Sequence, residues 1–324
     1  MMLFNLPIHI KKLEPPVSYE DRILLMGSCF TEHIGGFLAA HKFNIHQNPN
    51  GIVFEPQMLC QSIQDYMDKK KYSENDLVYE NERWHSWDHH SIFSDPSKEK
   101  ALENINSSCE QAHAFLKNAD WLIITFGTSF CYKLKHQNRI VANCHKLPAT
   151  HFEKHLSTIE ETITTMDTML YRLFHFNPKV KIIFTVSPVR HVRDGLVENN
   201  RSKARLLEAV HHIVQKFEKL YYFPSYEIVI DVLRDHRFYD IDLVHPNYAA
   251  TEFVLDKFCE NCMDKKSRNL LEEIKEIIIA KNHRPFHAAS AQHQQFREKY
   301  FLECTALQEK YPFLDLKEEI NYFG

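Results

Sequence analysis

Residues 23–33 read ILLMGSCFTEH, an apolar run that passes through a glycine and a serine into a helix-like stretch. Gly27 adopts backbone angles that other residues avoid, so the chain can bend sharply between the predicted strand and the predicted helix. Ser28 then stands at the start of that helix, where unpaired backbone N–H groups favour developing negative charge. These features make Ser28 a candidate nucleophile. The alternative is that Ser28 or Thr31 only caps the helix.

A second polar segment, late in the chain, carries an acid and a histidine. Asp242 and His245 can share one face of a helical turn, so the carboxylate can hold one imidazole nitrogen while the other nitrogen faces a serine. With Ser28 they supply a nucleophile, a base and an orienting acid in the chain order Ser, Asp, His. Taken alone, the pair is explained equally well as a surface turn.

The hydrophobic pattern predicts a three-layer α/β/α fold with a central parallel sheet. Continuous apolar runs alternate with amphipathic helices, as in strands that are buried on both faces and joined by crossover helices. We expect a catalytic domain over residues 1–265 and a helical C-terminal extension over 266–324, which packs on the domain or forms an oligomer contact. The predicted strands are 22–26, 121–126, 180–186 and 226–232, and the predicted helices are 31–41, 57–66, 102–116, 152–174, 202–221 and 248–263.

Glycine is scarce in this chain, with 7 residues in 324, against an average share of about 7%. Each glycine is therefore expected at a position where the local structure requires one. Gly27, Gly51 and Gly127 each end an extended or turn-like segment, where the backbone can approach a ligand. Ligands of a doubly wound sheet gather outside the carboxyl ends of its strands, and we expect Ser28 and the Asp242–His245 loop at that edge too.

The composition argues against several functional classes. A net charge of −4 gives no basic face for nucleic acid, and no apolar window is long enough for a membrane span. The 8 cysteines are scattered among apolar neighbours, which predicts a reducing, cytoplasmic location. Nucleotide-binding glycine loops are absent and no cofactor is predicted. The histidine-rich segment 84–90 lacks an established zinc spacing, so no metal site is predicted either.

Several short motifs together resemble the GSCFA family, a branch similar to the SGNH (GDSL-like) hydrolases with their flavodoxin-like fold. The signature that names the family is matched by residues 27–30, with Thr31 in place of its alanine at a position where threonine suits a helix start. The resemblance extends over about residues 20–260. Its further motifs are NPNG at 48–51, TFGT at 125–128, NCHK at 143–146, SPVRH at 187–191, FPSYE at 223–227 and HP at 245–246.

This resemblance implies roles for the residues that match. Ser28 becomes the nucleophile, and Asp242 and His245 become the acid and base of the last SGNH block. Gly51 is similar to the glycine whose N–H joins that of Ser28 in the oxyanion hole. Cys29, beside the nucleophile, is expected to pack under the turn rather than to act as a thiol nucleophile.

One departure from the SGNH pattern concerns the third oxyanion donor. Those enzymes carry Gly-x-Asn in their third block, and this chain has Ser129 where the asparagine is expected. Ser129 supplies the donor, or Asn143 or His145 does, or the activity is weak, because one lost donor can cost about 10²- to 10³-fold in rate. Arg190 and His191 end a predicted strand at the same edge and are candidates for substrate binding or for a structural ion pair.

The resemblance implies an acyl-ester hydrolase, and related folds that act on acetylated sugars suggest a carbohydrate O-acyl esterase or acyltransferase. The expected partner is thus a small-molecule or carbohydrate acyl ester. The alternative is a binding or scaffold protein that keeps an SGNH-like pocket without turnover. This hypothesis is motivated by Ser129, which stands where the asparagine is expected.

Overall fold

The computed structural model describes residues 6–287 and 289–324. Its strands are β1 (Ile23–Gly27), β2 (Ile45–Gln47), β3 (Leu77–Glu80), β4 (Arg83–Ser86), β5 (Trp121–Phe126), β6 (Phe130–Leu134), β7 (Arg139–Val141), β8 (Phe152–Leu156), β9 (Lys181–Val186) and β10 (Leu220–Tyr222). Five of them form a central sheet in the order β10-β9-β5-β1-β2. Every neighbouring pair in this sheet is parallel.

The central strands are apolar on both faces because each face meets a separate core. In β1, Ile23 and Leu25 pack into one core, whereas Leu24 and Met26 pack into the other. All five residues of β1 are buried, which explains the uninterrupted hydrophobic run in the sequence. The register with β5 sets Gly27 opposite Thr125, so these two strands end together at the carboxyl edge of the sheet.

Helices cover the two faces of the sheet. The side chains of α2–α5 pack into one core, and those of α1 and α7 share the other with α8–α10. The predicted three-layer α/β/α architecture is confirmed. The helices are α1 (Cys29–Ala40), α2 (Pro56–Met67), α3 (Lys98–Leu116), α4 (Ile159–Phe176), α5 (Leu196–Val214), α6 (Ser225–Glu227), α7 (Tyr248–Cys262), α8 (Lys265–Asn282), α9 (Ala291–Lys310) and α10 (Lys317–Phe323).

Three predicted elements are wrong in type. Residues 226–232 form no strand, because α6 continues into the π-helical segment Ile228–Leu233. The last strand is instead the short β10, which the prediction placed at the end of a helix over 202–221. Residues 152–156 pair as β8 with β6, so the helix predicted from residue 152 starts only at Ile159. Short apolar runs fit a strand and a buried helix equally well, and here tertiary pairing decides between them.

Two smaller β-structures extend from the central layers. Strands β3 and β4 form an antiparallel hairpin, and β7, β6 and β8 form a three-stranded antiparallel sheet. Trp87, Leu134, Val141 and Phe152 bury a small core of their own between these pieces. The hydrophobic pattern of the sequence did not indicate the second antiparallel sheet.

The C-terminal helices pack on the face that carries α1 and α7. Ile274 and Ile277 of α8 are buried in the same core as Ile23. Glu319, with a side chain only 3% exposed, pairs with Lys42 at 2.9 Å and with Lys281 at 3.0 Å. A membrane-crossing segment is not found among the helices of the described residues, none of which combines enough length with enough apolar character.

Candidate active site

The turn at the end of β1 positions the candidate nucleophile. Gly27 has a φ of +145°, and a Cβ there would lie 2.3 Å from the carbonyl oxygen of Thr125, so only glycine fits. Ser28 follows as the N-cap of α1, yet its side chain makes no capping hydrogen bond. Within residues 6–287 and 289–324 the Oγ atoms of Ser28 and Thr31 are buried without a hydrogen-bond partner. Neither hydroxyl therefore serves as the helix cap.

Asp242 and His245 form a hydrogen-bonded acid–base pair before α7. Asp242 Oδ2 lies 2.7 Å from His245 Nδ1, and Asp242 Oδ1 accepts the backbone N–H groups of Val244 at 2.9 Å and His245 at 3.0 Å. The side-chain hydrogen bond from His245, followed by these two N–H groups, lowers the pKa of Asp242 to about 2. The carboxylate is thus held ionised, with one oxygen fixed by the backbone and the other oriented toward the imidazole.

The loop that carries this pair is attached to the exit of β9. The N–H of Arg190 donates to the carbonyl oxygen of Val244 at 3.2 Å. The side chains of His245 and Asp242 are 43% and 45% exposed, whereas Ser28 is only 4% exposed. In the described part of the chain, neither His245 Nε2 nor Ser28 Oγ makes a hydrogen bond. The acid and base are therefore assembled, and the bond from base to serine is not formed.

A cavity of about 710 Å³ lies beside this pair. Asp242 and Leu243 form part of its wall, together with Arg190, whose guanidinium carbon lies 5.9 Å from the centre of the Tyr239 ring. Leu243 has a φ of +59°, a left-handed conformation that is uncommon for a bulky residue. The cavity is large enough for a small ester or a sugar unit.

The two backbone N–H groups expected in the oxyanion hole already have partners. The N–H of Ser28 donates to the Thr125 carbonyl at 3.2 Å, as an extension of the ladder between β1 and β5. The N–H of Gly51 donates to the Asn48 carbonyl at 2.7 Å and closes a turn in which Gly51 has a φ of +74°. In this structure both donors are thus bound to carbonyl groups.

Ser129, the first candidate for the missing asparagine, is hydrogen-bonded to α5 in this structure. Ser129 is fully buried, and its Oγ donates to the carbonyl oxygen of Ser202 in α5 at 3.1 Å. Its N–H donates to Ser202 Oγ at 2.8 Å. These bonds fix the residue before β6 against α5.

Asn143 and His145, the other two candidates for the donor, make hydrogen bonds within the antiparallel part of the fold. The His145 ring is bound on both sides, with Nδ1 at 3.0 Å from Ser91 Oγ and Nε2 at 2.8 Å from the Ser86 carbonyl. Burial lowers the pKa of His145 to about 4. Asn143 Oδ1 accepts the N–H of His145 at 2.7 Å. Both ring nitrogens of His145 therefore have partners within the fold.

His191 belongs to the edge of the sheet, as expected, and a buried lysine lies beside it. Burial, assisted by the charge of Lys203, lowers the pKa of His191 to about 4. Lys203 Nζ donates to the carbonyl oxygens of Gly127 at 2.5 Å and Ser187 at 2.6 Å. These carbonyls directly follow β5 and β9, so the lysine joins two strand ends. The sequence offered no signal for it, since a lysine in an amphipathic helix normally faces solvent.

Asn48 is a second residue of this edge that sequence reasoning missed. It follows β2, has a φ of +43°, and accepts the N–H of Gly27 on its Oδ1 at 3.0 Å. Asn48 Nδ2 is buried and has no partner in the described chain. The only sign of Asn48 in the sequence was its place in the NPNG motif at residues 48–51.

Histidines of the segment 84–90 make hydrogen bonds to other residues of the fold. His85 Nδ1 lies 2.6 Å from Ser94 Oγ, and His89 Nδ1 lies 2.9 Å from Ser86 Oγ. Over residues 6–287 and 289–324, no group of three or more His, Cys, Asp or Glu side chains is placed to hold a metal ion.

Comparison with known proteins places the sequence in a family. The profile of the GSCFA family matches residues 22–258, and that of the GSCFA domain protein, C-terminal domain, matches residues 274–324. No curated protein matches the sequence.

Among solved structures, the chain is similar to a carbohydrate esterase family 3 from Talaromyces cellulolyticus, at 10% identity and a TM-score of 0.34, over 79% of this chain and 99% of that chain. An acetyl esterase mutant with an acetate ion gives 11% identity and a TM-score of 0.34, over 79% and 99% of the respective chains. A Clostridium thermocellum family 3 carbohydrate esterase gives 11% identity and a TM-score of 0.31, over 78% and 98%.

Proposed function

This chain belongs to the GSCFA family, and we propose that it is a serine-dependent acyl-ester hydrolase of the SGNH type. The observation that carries the proposal is the Asp242–His245 pair, with 2.7 Å between carboxylate and imidazole. The loop that carries the pair is bonded to the exit of β9 through Arg190 and Val244. Ser28 follows β1 of the same sheet, and in the described chain its hydroxyl neither caps its helix nor bonds elsewhere. A free hydroxyl and an oriented imidazole are the two parts that nucleophilic acyl transfer requires.

In the proposed mechanism Ser28 Oγ attacks the carbonyl carbon of the ester as its proton passes to His245 Nε2. Asp242 holds the Nδ1–H of His245 and stabilises the imidazolium that forms. Collapse of the tetrahedral intermediate expels the alcohol, which takes the proton from His245 Nε2. A water molecule, deprotonated by the same nitrogen, then hydrolyses the acyl-Ser28 ester and restores the enzyme.

Productive binding requires movement, because Ser28 is buried and the Asp242–His245 pair is half exposed. The loop with the pair is attached to β9 through the bond between Arg190 and Val244. We propose that an ester entering the cavity beside Asp242 opens the Ser28 turn and brings His245 Nε2 within hydrogen-bond distance of Oγ. Such tightening on substrate binding is common in serine and histidine sites.

As substrates we propose acylated carbohydrates first, with acyl transfer to a second sugar as a variant of the same chemistry. An acyl-enzyme can pass its acyl group to an alcohol as readily as to water. Support for the carbohydrate comes from fold-level analogy alone, whereas the acyl-enzyme step is argued from the residues.

Covalent labelling with a fluorophosphonate tests whether Ser28 is activated. We expect the wild-type protein to be labelled and Ser28→Ala to remain unlabelled. Ser91→Ala is a matched control, because the hydroxyl of Ser91 also contacts a histidine, at 3.0 Å from His145 Nδ1, in a contact that serves the fold. Labelling that survives in Ser28→Ala would overturn the proposal.

Turnover of p-nitrophenyl acetate tests whether Ser28 and His245 act as one unit. Ser28→Ala and His245→Ala should each abolish turnover to a similar depth, with the double variant little worse, because triad members are strongly non-additive. Asp242→Asn should retain more activity, since the base is still present. Independent, additive losses would contradict a shared mechanism.

A binding protein without turnover is the second candidate function. It is favoured by the occupied N–H groups of Ser28 and Gly51 and by the burial of Ser28. In that case the wild-type protein resists the fluorophosphonate at all concentrations yet still binds an acylated sugar in calorimetry.

A further inference from the structure

We propose that the side-chain amide of Asn48 is an oxyanion donor of this site, an inference that rests on the proposed ester hydrolysis. In that reaction the carbonyl oxygen of the substrate becomes negatively charged when Ser28 attacks. Asn48 Nδ2 would donate a hydrogen bond to that oxygen from the side of β2, which flanks β1 opposite β5.

Every polar atom of Asn48 except Nδ2 has a partner. Its N–H donates to the Leu25 carbonyl at 2.8 Å, and its carbonyl oxygen accepts the N–H of Gly51 at 2.7 Å. Oδ1 accepts the N–H of Gly27 at 3.0 Å. Nδ2 is buried with no partner among the described residues, and a buried amide donor without an acceptor costs free energy. An acceptor supplied by a substrate removes that cost.

The Asn48 amide is hydrogen-bonded to the turn that holds the nucleophile. Oδ1 is bound to the N–H of the residue immediately before Ser28, and Nδ2 is bonded to the same carbon atom as Oδ1. Asn48 and Gly51 also line a cavity of about 650 Å³ that reaches α1 at Glu32. Asn48 therefore contacts both the turn that holds the nucleophile and a second cavity, which shares no lining residue with the one beside Asp242.

Four of the other expected donors are committed elsewhere. The N–H groups of Ser28 and Gly51 bind carbonyl oxygens, Ser129 Oγ binds α5, and both ring nitrogens of His145 are occupied. A preorganised donor needs a hydrogen that is free in the resting enzyme, and Asn48 provides one at the correct edge.

Two threonine hydroxyls beside Gly27 are rivals for this role. A Cβ at Gly27 would lie 2.8 Å from Thr31 Oγ1 and 2.9 Å from Thr125 Cβ, and the Oγ1 atoms of both threonines are buried without partners in the described residues. Replacing each by valine removes the hydroxyl while keeping the shape, so these variants are matched controls for Asn48.

Asn48→Asp isolates the proposed contribution. Aspartate tolerates the left-handed φ of +43° and keeps the oxygen that accepts from Gly27, but it loses both N–H donors. We expect kcat for p-nitrophenyl acetate to fall about 10²- to 10³-fold with KM nearly unchanged.

Three further variants serve as controls. Asn48→Gly, which tolerates the same φ and adds no charge, should show the same loss of kcat. Thr31→Val and Thr125→Val should stay close to wild type. Thermal unfolding is followed for every variant, so that a folding defect is seen separately.

The outcomes separate this inference from the proposed function. Folded Asn48→Asp and Asn48→Gly with wild-type kcat overturn the donor role while the serine mechanism stands. A large loss confined to Thr31→Val or Thr125→Val also overturns it and assigns the donor to that hydroxyl. A wild-type protein that is neither labelled at Ser28 nor active on any ester overturns both.

Discussion

Lys203 shows how a single residue can organise the edge of the sheet without any sign in the sequence. Its side chain is fully buried and is bound by two carbonyl oxygens, those of Gly127 and Ser187. In the described chain it forms no ion pair with a carboxylate. Burial lowers the pKa of Lys203 to about 7, while the two carbonyls favour the ammonium form and offset part of this cost.

This burial predicts a stability that rises with pH. The pKa of Lys203 is lower in the folded state, about 7, than in the unfolded chain, about 10.4. Between these values the unfolded chain binds more protons, so the free energy of unfolding increases as pH rises. Urea unfolding of wild type and Lys203→Met at pH 7 and 9 should show the wild type gaining about 2 kcal/mol relative to the variant. Lys216→Met, at the surface, is the control, and a pH-independent difference for Lys203→Met would contradict a buried titrating lysine.

Two glycines at or in helix α1 differ in the space that is available for a side chain. Gly27, just before the helix, has no room for a side chain, since a Cβ would lie 2.3 Å from the Thr125 carbonyl oxygen. That carbonyl also accepts the N–H of Ser28. Gly36, inside the helix, would place a Cβ in open space with no atom within 4 Å. The first glycine shapes the nucleophile turn, and the second only weakens the helix.

These two glycines give a matched pair of substitutions. Gly27→Ala should destabilise the protein by about 1 to 3 kcal/mol or more, because it combines a φ of +145° with contact to strand backbone that cannot move away. It should also abolish labelling of Ser28, since the turn has to shift. Gly36→Ala should stabilise by about 0.5 to 1 kcal/mol with labelling unchanged. Chemical denaturation and labelling of the same samples check both, and equal effects of the two substitutions would count against the steric explanation.

Over the whole molecule, the C-terminal helices complete one of the two cores. Ile274 of α8 is fully buried in the core that includes Ile23 of the central sheet. The buried carboxylate of Glu319 is paired with Lys42 of the segment after α1. These helices therefore stabilise the layer that supports the Ser28 turn, although they contribute no side chain to the cavity beside Asp242.

Substitutions in the C-terminal helices should lower the free energy of unfolding without changing the proposed catalytic activity. Ile274→Ala should cost about 2 to 5 kcal/mol, because it leaves a cavity in a packed core. Ile279→Ala on the same helix removes a side chain that is 70% exposed and should cost less than about 0.5 kcal/mol. Below its unfolding transition, Ile274→Ala should keep wild-type kcat/KM for p-nitrophenyl acetate. A folded Ile274→Ala protein that has lost activity would show that the C-terminal helices act on the site as well as on stability.

The sequence by itself determined the architecture and the most local part of the site. Strands 121–126 and 180–186 were predictable because parallel strands between two helical layers must be apolar on both faces. Gly27 and Ser28 were recognisable because a strand-to-helix turn has strict backbone requirements. Asp242 and His245 were predictable as a pair since their contact spans three residues, as the 2.7 Å bond between them illustrates.

Tertiary structure alone decided which groups are free to react. Whether an N–H or a hydroxyl has a partner depends on chain segments far away in sequence: Thr125 occupies the N–H of Ser28, Ser202 occupies Ser129, and Gly127 and Ser187 bind Lys203. Among the residues that the structure describes, Asn48 Nδ2 has no partner for the same reason, because its neighbours in space satisfy all of its other polar atoms. A sequence motif specifies residue types at fixed spacings, but it does not specify hydrogen-bond partners. Each donor finds its acceptor only when the strands align and the cores close, because folding brings the two groups within reach of each other.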